Sequence, residues 1–159
     1  MRRVVLVLLI TTVAVTVPAL APGKAPPIRY AAKLAGSNEV PSTDTMATGK
    51  ATVRVSKDSK GRKIVSFELT AHHLSGPPQA AHVHLGRAGQ SGGVLLVLEG
   101  RAFGLPARGR LTASDFAPVG PIKTFAQAIA KLGSGELYVN VHTTKFPGGE
   151  LRGQIRRQR

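Results

Sequence analysis

Hydrophobic and polar positions alternate with a period of two along much of the chain. Ala51, Val53 and Val55 are separated by Thr52 and Arg54, and Val65, Phe67 and Leu69 by Ser66 and Glu68. Successive side chains of an extended backbone point to opposite faces, so each run reads as a strand with one apolar and one wet face. The polar stretch Ser56-Lys57-Asp58-Ser59-Lys60-Gly61 between them predicts a hairpin. Further strands are expected at Ile28–Leu34, Gln79–Leu85, Val94–Leu98, Leu137–His142 and Glu150–Ile155, divided by clusters of Gly, Pro and Ser. One segment changes period. Ile122, Phe125, Ile129 and Leu132 recur three and four residues apart, which predicts a short helix over Ile122–Leu132, stopped by Gly133. Short strands joined by turn signals, with one helix, predict an all-β domain built as an antiparallel β-sandwich or squashed barrel.

The N-terminus does not follow this pattern. Met1-Arg2-Arg3 is a positive start, Val4 to Val17 an apolar run, and Ala19-Leu20-Ala21 a small-x-small site. That order is expected of a secretory signal peptide over residues 1–21, and the run is shorter than the ~20 residues a membrane-crossing helix needs. No membrane span is expected after cleavage, and the absence of cysteine removes a lipid anchor through a modified cysteine. Pro22-Gly23-Lys24-Ala25-Pro26-Pro27 is expected to be a flexible spacer over residues 22–27, leaving 28–159 as one domain. An exported chain without cysteine gains nothing from disulfides and relies on its core. With 159 residues, 42% of them hydrophobic, enough apolar material is present for that.

Charge narrows the partners. Lys and Arg number 22 against 8 Asp and Glu, a formal net charge of +14. Such a chain attracts polyanions, and the concentration of Arg152, Arg156, Arg157 and Arg159 near the C-terminus suggests adhesion to an anionic envelope polymer or to lipid head groups. Nucleic acid is disfavoured as a partner, because aromatic side chains for stacking on bases make up only 4% of the chain.

Candidate chemistry sits in the histidines. His82 and His84 share one face of their strand, with Ala81, Val83 and Leu85 on the other, and parity places Leu137, Val139 and Val141 inward and Tyr138, Asn140 and His142 outward. If the two strands are neighbours, His82, His84 and His142 converge on one outer patch. Three imidazoles within a few ångströms hold a divalent copper or zinc ion at ~2.0–2.1 Å per nitrogen, with a fourth position open. The alternative is a set of surface histidines bonded to loops. His72-His73 are adjacent, point opposite ways and are expected to be exposed at a strand end.

Two other patterns carry less. Gly89-Gln90-Ser91-Gly92-Gly93 matches G-x-S-x-G, with Asp115 and His142 following in hydrolase order, but a strand rather than a helix follows, so a glycine-rich turn is expected. Glu150 and Arg152 share parity on the last strand, with Gln154 beyond. Their expected role is structural, through cross-strand pairs or hydrogen bonds to a loop, and nothing in the spacing supports Glu150 as a fourth ligand.

Three stretches in order carry a family resemblance: Leu34-Ala35-Gly36-Ser37-Asn38-Glu39-Val40-Pro41, the segment Ala81 to Val94 around His82-Val83-His84, and the segment Gly135 to Ile155. Together they resemble the CHRD domain, the module named from chordin, over about Tyr30 to Ile155. The resemblance implies a secreted β-sandwich, immunoglobulin-like or superoxide-dismutase-like with Greek-key order, acting as a binding or structural module of the envelope or extracellular space. The cysteine-rich modules that accompany the domain in chordin are missing, so growth-factor binding is not implied. His82-Val83-His84 is also similar to the metal strand of copper–zinc superoxide dismutases. Too few histidines and no bridging aspartate have places here for full dismutase activity, whereas one copper or zinc ion remains compatible. A small copper or zinc metalloenzyme on the same three histidines is therefore the alternative to a non-enzymatic module.

Overall fold

A computed structural model describes residues 25–159, so the expected signal peptide and the first part of the spacer lie outside the described residues. Ala25, Pro26 and Pro27 are exposed and outside any strand, and the first strand starts at Ile28.

The chain forms strands β1 (Ile28–Ala35), β2 (Thr48–Lys57), β3 (Lys63–His72), β4 (Pro78–Leu85), β5 (Val94–Glu99) and β6 (Ala107–Leu111). Helix α1 (Phe125–Lys131) and strands β7 (Leu137–Thr143), β8 (Leu151–Gln154) and β9 (Arg156–Arg157) follow. The spatial order is β5-β4-β7-β8-β1-β2-β3-β6, with β9 also beside β1. Every pairing is antiparallel. The segment after β6 bridges the gap to β5: Phe116 pairs with Leu96, and the Ala117 amide donates to the Leu95 carbonyl at 3.0 Å. The result is the expected all-β architecture, a sheet curled until it is nearly closed.

Period two sets the inner face as read. Ala51 pairs with Leu69, Val53 with Phe67 and Val55 with Val65, and the first two of these pairs are fully buried. Val83, Leu95, Leu96, Leu137, Val139, Val141 and Leu151 exclude solvent completely. Each such side chain contributes about 1.5–3 kcal/mol of burial, which holds the curled sheet without disulfides.

The structure departs from expectation in three places. β6 carries its apolar signal only at Ala107 and Leu111, because the inward position between them is Gly109. A Cβ there would lie 2.6 Å from a ring carbon of Phe67, so the neighbouring strand's ring occupies the space a side chain would fill. The last expected strand is broken at Ile155, and Arg156–Arg157 pair separately with Tyr30 and Ala31 of β1. The helix starts later than its periodicity suggests. Ile122 is buried in a turn paired with Val119, and the capping box of Thr124 and Gln127 fixes the true start.

Candidate metal centre

β4 and β7 are direct neighbours, in a register that sets His82 opposite Asn140 and His84 opposite Tyr138, with His142 two pairs further along opposite Ala80. The condition for convergence is met. His82 Nδ1 lies 3.2 Å from His142 Nε2, and one ring nitrogen from each of the three histidines falls within 4.8 Å of the others. Tetrahedral bonds of ~2.0–2.1 Å put ligand nitrogens ~3.3 Å apart, so the first pair, joined by a hydrogen bond, already has the spacing a metal would take in place of the proton, and the widest separation would close by about 1.5 Å.

Backbone carbonyls fix the tautomers. A carbonyl only accepts, so His84 Nδ1 donates to Gly92 O at 2.9 Å and His142 Nδ1 donates to Pro147 O at 2.8 Å. Each ring then turns an unprotonated Nε2 toward the cluster, the orientation that metal-ligating histidines take from a supporting carbonyl. His84 Nε2 is buried and has no hydrogen-bond partner. Burial pushes the His82 imidazole down to about 4, helped by repulsion from His142 and His84, and burial also lowers His84 against the pull of Gly92. For His82 and His84, neutral imidazole, the form that binds metal, is thus the resting state at neutral pH.

The outward parity holds, but the expected wet surface does not. His84, Tyr138 and Asn140 are 9%, 4% and 3% exposed, although all three point away from the main core. Loops roof this face. Between β4 and β5, the Gly92 amide donates to the Tyr138 hydroxyl at 3.2 Å, while Arg152 Nη2 donates to the carbonyls of Arg87 and Gln90, both at 2.8 Å. Gln154 Nε2 donates to the Gly86 and Gly135 carbonyls. The Arg152 guanidinium stacks 3.6 Å over the Tyr138 ring, and Tyr138 stacks on His84 with ring planes 7° apart. A column of Arg152, Tyr138 and His84 therefore carries the position of the roof down to one member of the histidine cluster.

Arg152 is consequently no part of a basic C-terminal surface. At 2% exposed it belongs to this roof, whereas Arg156, Arg157 and Arg159 are exposed. Glu150 has its expected structural role, fully. Its Oε1 accepts from Thr45 Oγ1, Ser75 N and Ser75 Oγ, and its Oε2 accepts from Thr143 Oγ1 at 2.6 Å. Burial favours its neutral form, but those hydrogen bonds outweigh it and hold the carboxyl below its ordinary range.

Glu39, which no pattern singled out, lies against this face. Asn140 Nδ2 donates to Glu39 Oε1, and the Asn140 Oδ1 is buried without a partner. Burial pushes Glu39 up to about 7 despite the nearby Arg152 charge. Its one sequence signal was its place in the stretch Leu34 to Pro41. The hydrolase pattern does not assemble: Ser91 is exposed in the roofing loop, and Asp115 is occupied in a capping box with Thr112. His72 and His73 are exposed at the end of β3, as expected.

The CHRD domain family model matches residues 30–155 of the chain. No curated protein and no solved structure matches it. Among the described residues, no helix is long and apolar enough to cross a membrane.

Proposed function

Because the chain belongs to the CHRD domain family, we propose that it is a secreted binding module of the envelope or extracellular space, and that one of its ligands is a single copper or zinc ion held by His82, His84 and His142. The observation that carries the metal reading is His84 Nε2. It is a buried acceptor with no partner, held by Gly92 in the tautomer that presents a lone pair to two further imidazole nitrogens. Leaving such a group unsatisfied costs about 1–3 kcal/mol, a cost that a bound cation removes. An all-imidazole donor set suits copper and zinc, and the roof of Tyr138, Arg152 and the β4–β5 loop limits the access of water. Export rests on the leader expected at residues 1–21.

The test is metal content after purification without an affinity tag, followed by titration of the stripped protein with copper and with zinc. One ion per chain is expected, lost in His82→Ala and in His142→Ala while both variants stay folded. An empty protein that takes up neither ion, or unchanged stoichiometry in both variants, would remove the reading.

A further inference from the structure

Strands β1, β2, β3 and β6 turn their other set of side chains to solvent on a face that does not involve the cluster of His82, His84 and His142. Register places Arg29 directly opposite Arg54 and Lys33 directly opposite Lys50. The first row continues through Ser66 of β3 to Arg110 of β6. All five cations are exposed, and none takes part in a salt bridge among the described residues. The one acidic group in these rows, Glu68, is engaged by Arg108 through Nε at 3.1 Å and Nη2 at 2.5 Å. Like charges set directly opposite across a strand pair destabilise a sheet, so this face carries a repulsion that no salt bridge among the described residues offsets.

Hydroxyl side chains stand among the cations. Thr52 lies between Ala31 and Glu68, and Ser66 between Arg54 and Arg110. A groove of about 320 Å³ runs into the face, with Thr52, Arg54, Ser66, Glu68 and Arg108 in its lining. On the outward positions of these strands the one large apolar side chain is Ile64, half-buried at the start of β3, and the one ring is His72 at its other end, so the middle of the face offers nothing to insert into a bilayer or to stack on a base. What they do offer is guanidinium forks for carboxylates, and hydroxyls that both donate and accept, for sugar hydroxyls.

We propose that this sheet face binds a linear anionic polysaccharide, with uronate carboxylates on Arg29, Arg54 and Arg110 and sugar hydroxyls on Thr52 and Ser66. Neighbouring strands lie ~4.8 Å apart, so Arg29 and Arg54 are spaced on the scale of successive sugar units, and Arg54 and Arg110, with Ser66 between them, on the scale of two. The anionic partner suggested by the C-terminal arginines thus moves to the sheet, with Arg156 at its margin through its pairing with Ala31. The inference is independent of the histidine cluster.

The test measures binding of the chain, stripped of metal and kept in chelator, to polygalacturonate across a salt series. Vesicles of phosphatidylglycerol and a single-stranded oligonucleotide are the comparison arms. Polygalacturonate should bind tightest. The triple variant Arg29→Gln/Arg54→Gln/Arg110→Gln should weaken it about tenfold or more at low salt and lower the salt slope by about three, roughly one per lost contact. The triple variant Arg101→Gln/Lys123→Gln/Lys145→Gln removes the same charge elsewhere and should leave most of the affinity. Arg54→Gln alone should raise the melting temperature at low salt, which shows that the face remains folded and was self-repelling. Equal loss in both triple variants, or tighter binding to vesicles or oligonucleotide, overturns the proposal.

Discussion

Arg152 is the side chain on which the roof over the histidines depends most, and its replacement tests the argument for the whole site. Its guanidinium makes two charge-assisted hydrogen bonds of 2.8 Å to the carbonyls of Arg87 and Gln90 and stacks 3.6 Å over Tyr138, at 2% exposure. Hydrogen bonds of that kind contribute about 1.5–3 kcal/mol each, and a desolvated cation–aromatic stack about 2. Rehydration of the freed carbonyls offsets part of this, so Arg152→Gln should cost about 3–5 kcal/mol. For a domain of this size that lowers the melting temperature by roughly 10–20 °C. Arg152→Lys keeps the charge but loses the planar fork, and should recover less than half of the loss. Because the column of Arg152, Tyr138 and His84 ends on a ligand candidate, both variants should also weaken binding of zinc by about tenfold or more. Differential scanning calorimetry and zinc titration on the same preparations measure the two effects. A lysine variant within about 0.5 kcal/mol of the parent, a difference expected of an ordinary surface change, would refute the reasoning.

The metal-free protein should show opposed pH effects. His82 is lowered to about 4 from 6.5, so its stabilising contribution is complete above pH 6.5 and is lost as pH falls toward 4, with His84 acting in the same direction. Glu39 is raised to about 7 from 4.5, so its contribution is complete below pH 4.5 and lost as pH rises through 7. With each shift halved for the screening of half-exposed groups, the His82 and Glu39 effects are each worth about 1–2 kcal/mol, so between pH 4.5 and 6.5 they cancel and leave the parent the smaller slope of His84. Glu39→Gln should uncover the histidine slope, losing stability on acidification, and a flat profile in that variant would contradict the assignment. Gly92→Ala would place a Cβ 1.6 Å from the Leu85 carbonyl oxygen, so the loop must move and release His84 Nδ1; a loss of about 2–3 kcal/mol by urea denaturation is expected, together with weaker zinc binding. Gly109→Ala drives a methyl against Phe67 and should cost about 1–3 kcal/mol, whereas the same change in a Phe67→Leu background should cost less; additive costs in the double-mutant cycle would contradict the packing account.

Much of this protein follows from its sequence by itself. Alternation of apolar and polar residues located most of the strands and their inner faces, since strand side chains switch face at every residue whatever surrounds them. The same parity put His82, His84 and His142 on the face away from the core. Local chemistry also sufficed for the β2–β3 hairpin and for the glycine-rich turn after β4. β6 escaped notice because its middle inward position is glycine, a choice that makes sense only beside the ring of Phe67. Tertiary structure alone decided that β4 lies next to β7, which turned three parity-matched histidines into a cluster. It alone decided that Tyr138, Asn140, Glu150 and Arg152 are buried, because the loops over them are held by contacts reaching 62 residues or more along the chain from Arg152 and Glu150. It also set Arg29 against Arg54 across two strands. Periodicity reports which way a side chain points, whereas its neighbours and its access to water depend on strand order and loop closure, which are fixed only when distant segments meet.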